Sequence, residues 1–469
     1  MTVRDIITFN AGLLTSTVVA AGERFGVSFD ELHNDSTSVK FCGQYRRTHP
    51  HSIRGRRPPW ITYGHSKDHR PDLKQLLFIL TASVDAGAPV QFRCKDGNTN
   101  DTRTHVGTWD TLLEVSGRKD FLYVADSKLC TRDNVEHIDS KGGRFVTVLP
   151  RSRSEDKRFR EWIQSFEPDW EQVWDCPNPR KKYGPRNICN VFRHPAPSRE
   201  GGPVTWVWSS PLKIHQEQRR QEKIQRATED LAALRKQLEG PRPRLRSPFQ
   251  IEERIESIVK RLRVTDYVRA WVIPFDRSKF LQNKPGRPGR QTRYRKETQA
   301  GLSIAYEVDE AAVEYDKKSD GMYPLLTNDR SLTPLQVLEA HNRQPTIEKR
   351  FQQAKSVHEI APVFLKNESW IEALFFLYFL ALLLQALIER ELRRAMSEEG
   401  IEALAFYPER RACKNPTARR IFQLFSYADR CTLSEQARIV QLLEPELTDL
   451  QKEILRLLKI PRRAYGSTR

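Results

Sequence analysis

Two periodicities divide the chain. Residues 29–43 alternate with period two. Asp35, Thr37, Val39 and Phe41 share one face, and Asn34, Ser36, Ser38 and Lys40 the other, which predicts a strand with a carboxylate on its more apolar side. Leu76–Val84 and Pro89–Cys94 are apolar runs joined by Asp85, Ala86 and Gly87, the pattern of a hairpin. Thr104–Ser116 fits a helix. Phe121–Ala125 is a short unbroken apolar run, the mark of a strand covered on both faces, and it ends at Asp126. The predicted order is strand, strand, strand, helix, strand, with Asp35 on the first strand and Asp126 at the mouth of the fourth.

From about 150 to 320 the texture changes. Trp162, Trp170, Trp174, Trp206 and Trp208 sit among prolines and basic residues. Ile224, Ala227, Leu231, Leu234 and Leu238 follow heptad spacing, and Ile251, Ile255, Ile258, Val259 and Leu262 follow after Pro241 and Pro243; together they predict a helical hairpin serving as scaffold. Tyr267–Phe275, Leu302–Val308 and Met322–Thr327 have strand character. Between the first two lies an extended stretch, 276–299, carrying Arg277, Lys279, Lys284, Arg287, Arg290, Arg293, Arg295 and Lys296 against Asp276 and Glu297. Such forked cations suit phosphates or a minor groove, and a solvated loop is the plainer alternative.

Pro345 opens a helix to Lys355, a position where its missing N–H is no loss. Ile347, Phe351 and Ala354 form its apolar face, and Glu348 and Lys355, seven apart, return to nearly one side at roughly 100° per residue. Trp370–Glu391 is almost wholly apolar. Glu372 and Gln385 interrupt it and Glu389, Arg390 and Glu391 close it, leaving a marginal length for a membrane span, so a buried helix is expected.

Charge narrows the function classes. Lysine and arginine number 78 against 60 acidic residues in 469, a net +18, which favours an anionic polymer as partner, nucleic acid before membrane. Seven cysteines without C-x-x-C spacing read as reduced thiols of a cytosolic protein, and the N-terminus lacks a signal-peptide pattern. Arg46, Arg47, Arg54, Arg56 and Arg57 form a basic loop near His49, His51, His65 and His69, whose irregular spacing favours solvated histidines over a metal site.

Three carboxylates remain as candidate chemistry: Asp35, Asp126 and Glu348. If they converge, their hard oxygens suit Mg²⁺ or Mn²⁺, and two such ions about 4 Å apart can drive an in-line phosphoryl displacement. Longer blocks carry a resemblance: Asp35-Ser36-Thr37-Ser38 with Gly43, Gly64–Gln75, Ala125-Asp126-Ser127, Asp320–Asn328, Ile347–Lys355, Pro362–Leu365 with the apolar helix, and Tyr407–Arg410. Across roughly residues 30–430 the chain resembles the DDE transposases of bacterial insertion sequences, within the group whose glutamate helix bears a Tyr-Arg-Glu-Lys signature.

That resemblance implies an α/β fold, a ribonuclease-H-like mixed sheet flanked by helices, with an inserted α+β domain between the second aspartate and the glutamate. The expected organisation is a short segment 1–28, a catalytic core in two parts, 29–150 and 319–398, an insertion domain 151–318, and a basic helical region 399–469. It implies Asp35, Asp126 and Glu348 as metal-binding triad for two Mg²⁺ or Mn²⁺ ions, and Lys355 as a contact to transposon-end DNA. The signature's tyrosine position is His341 and its arginine position Gln344, which leaves His341 and the displaced Arg343 to supply that grip. Lys284, Arg287, Arg290, Arg293 and Arg295 are the further DNA-binding candidates. The implied partners are transposon-end and target DNA, with a homodimer in the synaptic complex, no membrane, and a cytoplasmic, nucleoid-associated location. Only 34 residues precede Asp35, fewer than in relatives, as in a truncated copy. A catalytically decayed DNA-binding relic and a ribonuclease-H-like nuclease without strand transfer are the competing readings.

Overall fold

Helix α1 (Ala11–Phe25) leads to β1 (Glu31–Phe41), which is followed by β2 (Lys74–Ser83), β3 (Pro89–Asp96), α2 (His105–Ser116), β4 (Leu122–Ala125), α3 (Arg132–Ser140) and β5 (Arg144–Val148). The computed structural model describes residues 11–45, 57–178, 184–240, 242–357, 360, 363, 370–407, 409, 411–428, 431–435 and 438–461. Arg46, Arg47, Arg54, Arg56, His49 and His51 of the basic loop, and most of 362–365, lie outside them. The chain divides into two units, Met1–Pro150 with Pro195–Val204 and Leu325–Arg469, and Arg151–His194 with Thr205–Pro324.

In the first unit β1 pairs antiparallel with β2 and β2 with β3, while β1–β4 and β4–β5 are parallel. Three antiparallel strands followed by two parallel ones, with helices in the crossovers, is the ribonuclease-H-like order. The β2–β3 hairpin turns through Ala86 and Gly87, both at positive φ (56° and 64°). Gly87 is required twice over, because a Cβ there would also meet Thr346 Cγ2 at 2.7 Å.

The second unit contains α4 (Ser154–Trp162), the antiparallel strands β6 (Glu171–Cys176), β7 (Asn187–Arg193) and β8 (Val204–Ser209), and helices α5 (Ser210–Glu239) and α6 (Pro248–Leu262). The tryptophan-rich stretch forms an aromatic core, with Phe159 stacked on Trp206 at 3.6 Å between ring centroids. The predicted helical hairpin is present: Ala227, Leu231, Leu234 and Leu238 pack on Ile251, Ile255, Ile258 and Val259. The basic stretch differs from expectation. Strands β9 (Val268–Gln282) and β10 (Tyr294–Val308) pair along their whole length, from Val268 opposite Val308 to Gln282 opposite Tyr294, so only 283–293 is loop. The outer half of this ribbon is exposed on both faces, which is why it shows no apolar alternation. Helix α7 (Glu310–Lys317) precedes β11 (Met322–Thr327), whose Leu325–Thr327 pairs with β5.

The first unit then continues through α8 (Pro334–Asn342) and α9 (Pro345–Gln352), a π-helical turn Gln353–Val357, and α10 (Ile371–Glu398). The C-terminal part holds α11 (Ala418–Phe425), the hairpin β12 (Cys431–Glu435) and β13 (Arg438–Leu443), and α12 (Asp449–Leu457). Helix α10 is long and apolar enough to cross a membrane, yet it packs on the sheet, with Phe375 against Phe78 (5.0 Å) and Phe379 against Phe92 (5.4 Å). It runs on past Glu391, and Glu389, expected to close the apolar stretch, lies fully buried inside the helix. Expectation also failed at Lys355. Regular α spacing stops at Gln352, and the wider turn removes the premise that Lys355 repeats the edge of Glu348.

Candidate active site

Strand register brings the two aspartates together. Asn34 lies opposite Ala125 in the parallel β1–β4 pair, so Asp35 and Asp126, each one residue further on, neighbour each other at the open end of β4. Asp126 is held by its surroundings: Lys128 N–H donates to Oδ1 (3.0 Å), and Thr147 Oγ1 donates to the Asp126 carbonyl (2.7 Å). Ser36 N–H donates to Asp35 Oδ1 at 2.7 Å.

A third carboxylate, Asp101, sits here on the short 3₁₀ turn before α2, bound to Ser36 Oγ at 2.9 Å. Burial pushes the Asp35 pKa up to about 6, with Asp126 and Asp101 adding to the rise and Lys67 and the Ser36 N–H opposing it. Burial likewise raises that of Asp126, with Asp101 adding to it. Carboxylates gathered this way favour a cation between them.

A Asp35 pKa above its unfolded value of 3.8 has a definite consequence for stability. Between about pH 4 and 6 the folded chain binds the extra proton, so this contribution is present at low pH and lost as pH rises through 6. Asp35→Asn is therefore expected to stabilise the protein at pH 7 by about 2 kcal/mol in the presence of chelator, and by almost nothing at pH 4. Urea unfolding at the two pH values checks it, and a variant less stable at pH 7 would refute the stated strain.

The Gly64–Gln75 block folds over this end of β1. Gly64 is forced by close approach, since a Cβ there would lie 1.9 Å from the Gly97 carbonyl oxygen, and Gln75 Nε2 donates to the carbonyls of His65 (3.1 Å) and Gly97 (2.9 Å). The loop thereby presents two adjacent charges. Lys67 reaches Asp101 Oδ2 (2.9 Å), and Asp68 pairs with Lys355 (2.9 Å) and Lys40 (3.4 Å).

Helix α9 lies over the Asp35 face of β1. Thr37, on that face, is opposite Phe78, against which Phe351 packs at 6.1 Å. Glu348 stands exposed in the first turn of α9, beside the buried Ile347. It is not gathered with the aspartates: among the described residues no three His, Cys, Asp or Glu side chains stand close enough to hold one metal ion. The donors fit a hard divalent ion in chemistry, while their spacing is that of a cluster around an ammonium.

The remaining candidates separate. Arg343 forms a bidentate pair with Glu31 (2.8 and 2.6 Å), and Glu31 also meets His33 Nε2 at 2.7 Å. Burial lowers the pKa of His341, favouring an uncharged ring at neutral pH. Lys284, Arg287, Arg290, Arg293 and Arg295 stand exposed at the end of the β9–β10 ribbon in the second unit, with no acidic partner among the described residues.

Sequence reasoning missed Lys67, Asp101 and the buried Arg350. Arg350 donates to the carbonyls of Gly87 (2.9 Å) and Ala86 (2.6 Å) and to Gln353 Oε1 (2.6 Å), and meets Glu389 at 3.6 Å, fastening α9 to the β2–β3 turn and to α10. A signal existed: Arg350 stands three residues after Ile347 and one before Phe351, within the buried face.

The first unit is thus a ribonuclease-H-like core that sets two aspartates side by side at adjoining strand ends. The chain belongs to the transposase DDE domain family, whose model matches residues 31–384. It is similar in structure to a piggyBac transposase solved as a synaptic complex with hairpin DNA, at 9% identity and a TM-score of 0.34, covering 79% of this chain and 48% of that one. A Mos1 transposase solved as a paired-end complex with the left transposon end is similar at 8% identity and a TM-score of 0.17, covering 31% of this chain and 42% of that one. The chain thus spans less than half the length of either. No match is found among curated protein sequences.

Proposed function

We propose that the protein is an insertion-sequence transposase of the Tyr-Arg-Glu-Lys signature group, cleaving the ends of its element and joining them to target DNA. The reading is supported most by the register that sets Asp35 beside Asp126 in a chain matched by the family over residues 31–384. Asp35, Asp126 and Glu348 would hold two Mg²⁺ or Mn²⁺ ions, which supply activation of a water or 3′-hydroxyl and neutralise the leaving oxygen. The aspartates would form one wall of that site through β1 and β4, and Glu348, which is not gathered with them here, would have to move in from α9 to complete it. Two copies of the chain would pair the ends, working in the cytoplasm on nucleoid DNA.

The test is incubation with duplexes carrying the terminal inverted repeats that flank the gene, with Mn²⁺ and supercoiled target. Nicked ends and joined products are expected. Cleavage without joining would leave a ribonuclease-H-like nuclease, and DNA binding without cleavage a decayed relic.

The residues 151–318 would act as the DNA-handling insertion, with the ribbon tip as its grip. Replacing Lys284, Arg287 and Arg290 together by glutamate is expected to weaken end binding and to reduce the slope of log K against log salt by about 3, at roughly 0.9 per phosphate contact. Fluorescence anisotropy across a salt series checks it, and an unchanged slope removes the ribbon from the interface.

A further inference from the structure

The Lys67 ammonium sits where a cation serving the aspartates belongs. Its Nζ lies 2.6 Å from the Ser36 carbonyl oxygen, 2.8 Å from Ser36 Oγ, 2.9 Å from Asp101 Oδ2 and 3.9 Å from Asp35 Oδ1. An ammonium has three N–H donors, and the three short contacts use them all, leaving the attraction to Asp35 purely electrostatic. Every neighbour is a hard oxygen, the donor type that Mg²⁺ and Mn²⁺ select. The distances are those of hydrogen bonds, longer than the roughly 2.1 Å of a Mg²⁺–oxygen bond, which accounts for carboxylates held too far apart to share one ion. The lysine side chain is 30% exposed, so the ammonium can leave towards solvent without unpacking the core. Its loop is anchored independently through Gln75, the Gly64–Gly97 contact and the Ser66 hydroxyl, which accepts from Arg70 N–H at 3.1 Å.

We propose that Lys67 is a competing internal cation: its ammonium and a divalent ion exclude each other from the oxygens of Asp35, Ser36 and Asp101, and Asp101 is a further carboxylate of the ion's shell. This rests on the reading of Asp35 and Asp126 as metal-binding residues. Binding an ion then requires Lys67 to swing out, and the freed ammonium is delivered to the mouth of the site, where an anionic DNA strand compensates it. Occupancy by metal and engagement of DNA thereby favour each other. In the absence of DNA, the lysine holds metal affinity down.

The experiment is a Mn²⁺ titration of the full chain without DNA, read by electron paramagnetic resonance of the free ion. Lys67→Met is expected to bind Mn²⁺ about tenfold more tightly than the parent chain, the scale of removing one competing charge near a partly buried site. Lys67→Arg, which keeps the charge, is expected to show no such gain. Asp101→Asn is expected to weaken binding about tenfold and to cancel the gain when combined with Lys67→Met. Thermal unfolding supplies a second readout: saturating Mn²⁺ should raise the midpoint of Lys67→Gln by more than that of the parent. Lys67→Met binding no more tightly than the parent, or Asp101→Asn binding as well as it, overturns the proposal. Asp35→Asn run alongside separates the two levels. If it abolishes Mn²⁺ binding while Lys67→Met is neutral, only the competing role of Lys67 falls; if it changes nothing, the metal-site reading falls with it.

Discussion

Glu348→Ala should abolish Mg²⁺-dependent nicking of transposon-end DNA, a loss of at least about a thousandfold, with DNA binding largely retained. The substitution is a clean one. Glu348 is exposed in the first turn of α9 and has no ion-pair partner among the described residues, so its removal should change stability by no more than about 0.5 kcal/mol. Loss of nicking would therefore report chemistry. Asp35 and Asp126 are poorer probes, because their burial and mutual repulsion make any replacement alter stability as well. Single-turnover cleavage with Mg²⁺ and with Mn²⁺, alongside an unfolding curve, decides the matter. Retained nicking would exclude Glu348 from the reaction.

Glu389→Ala should be strongly destabilising, by about 3–5 kcal/mol. Glu389 is fully buried on α10, where Oε1 accepts from the Ala418 N–H at the start of α11 (3.0 Å) and Oε2 faces Arg350 (3.6 Å) and Arg393 (3.5 Å). Its removal leaves the buried Arg350 charge without the carboxylate that faces it and takes an anion from a helix N-terminus, where one is favourable. Glu389→Gln, which keeps the acceptor and loses the charge, should fall between. Arg350→Met combined with Glu389→Leu should recover much of the loss, because replacing both ions by apolar groups leaves neither charge stranded. Urea midpoints of the four proteins check this series. An unchanged midpoint for Glu389→Ala would mean that the carbonyls of Ala86 and Gly87 satisfy Arg350 unaided.

How far such groups can be foreseen depends on what carries the signal. Asp35 is legible because a carboxylate interrupts the apolar side of an alternating strand, and Asp126 because it ends an unbroken apolar run. The strand–strand–strand–helix–strand order follows from those same patterns. Lys67 and Asp101 are not legible in that way. Each lies in a polar, irregular segment, and only tertiary contacts bring them to Asp35: the Gly64–Gly97 approach that seats the Lys67 loop, and the Ser36 hydroxyl that meets both Lys67 and Asp101. Glu389 looked like a terminator since a charge after an apolar run ordinarily faces water; tertiary partners in other helices, Arg350 and the Ala418 N–H, reverse that rule. The β9–β10 pairing escaped for the opposite reason: with both faces solvated, nothing in the side-chain order distinguishes its outer strands from a loop.

The length of that ribbon sets a measuring scale. Fifteen paired residues per strand, at about 3.3 Å each, carry the tip some 45 Å from the base, more than one pitch of duplex DNA at about 34 Å. Deleting two residues from each strand would retract the cationic tip by about 7 Å, the rise of two base pairs, while preserving which side chains face which way because the pleat repeats every second residue. If the tip grips DNA as proposed, such paired deletions should act as a molecular ruler, drawing in the footprint on an end sequence step by step.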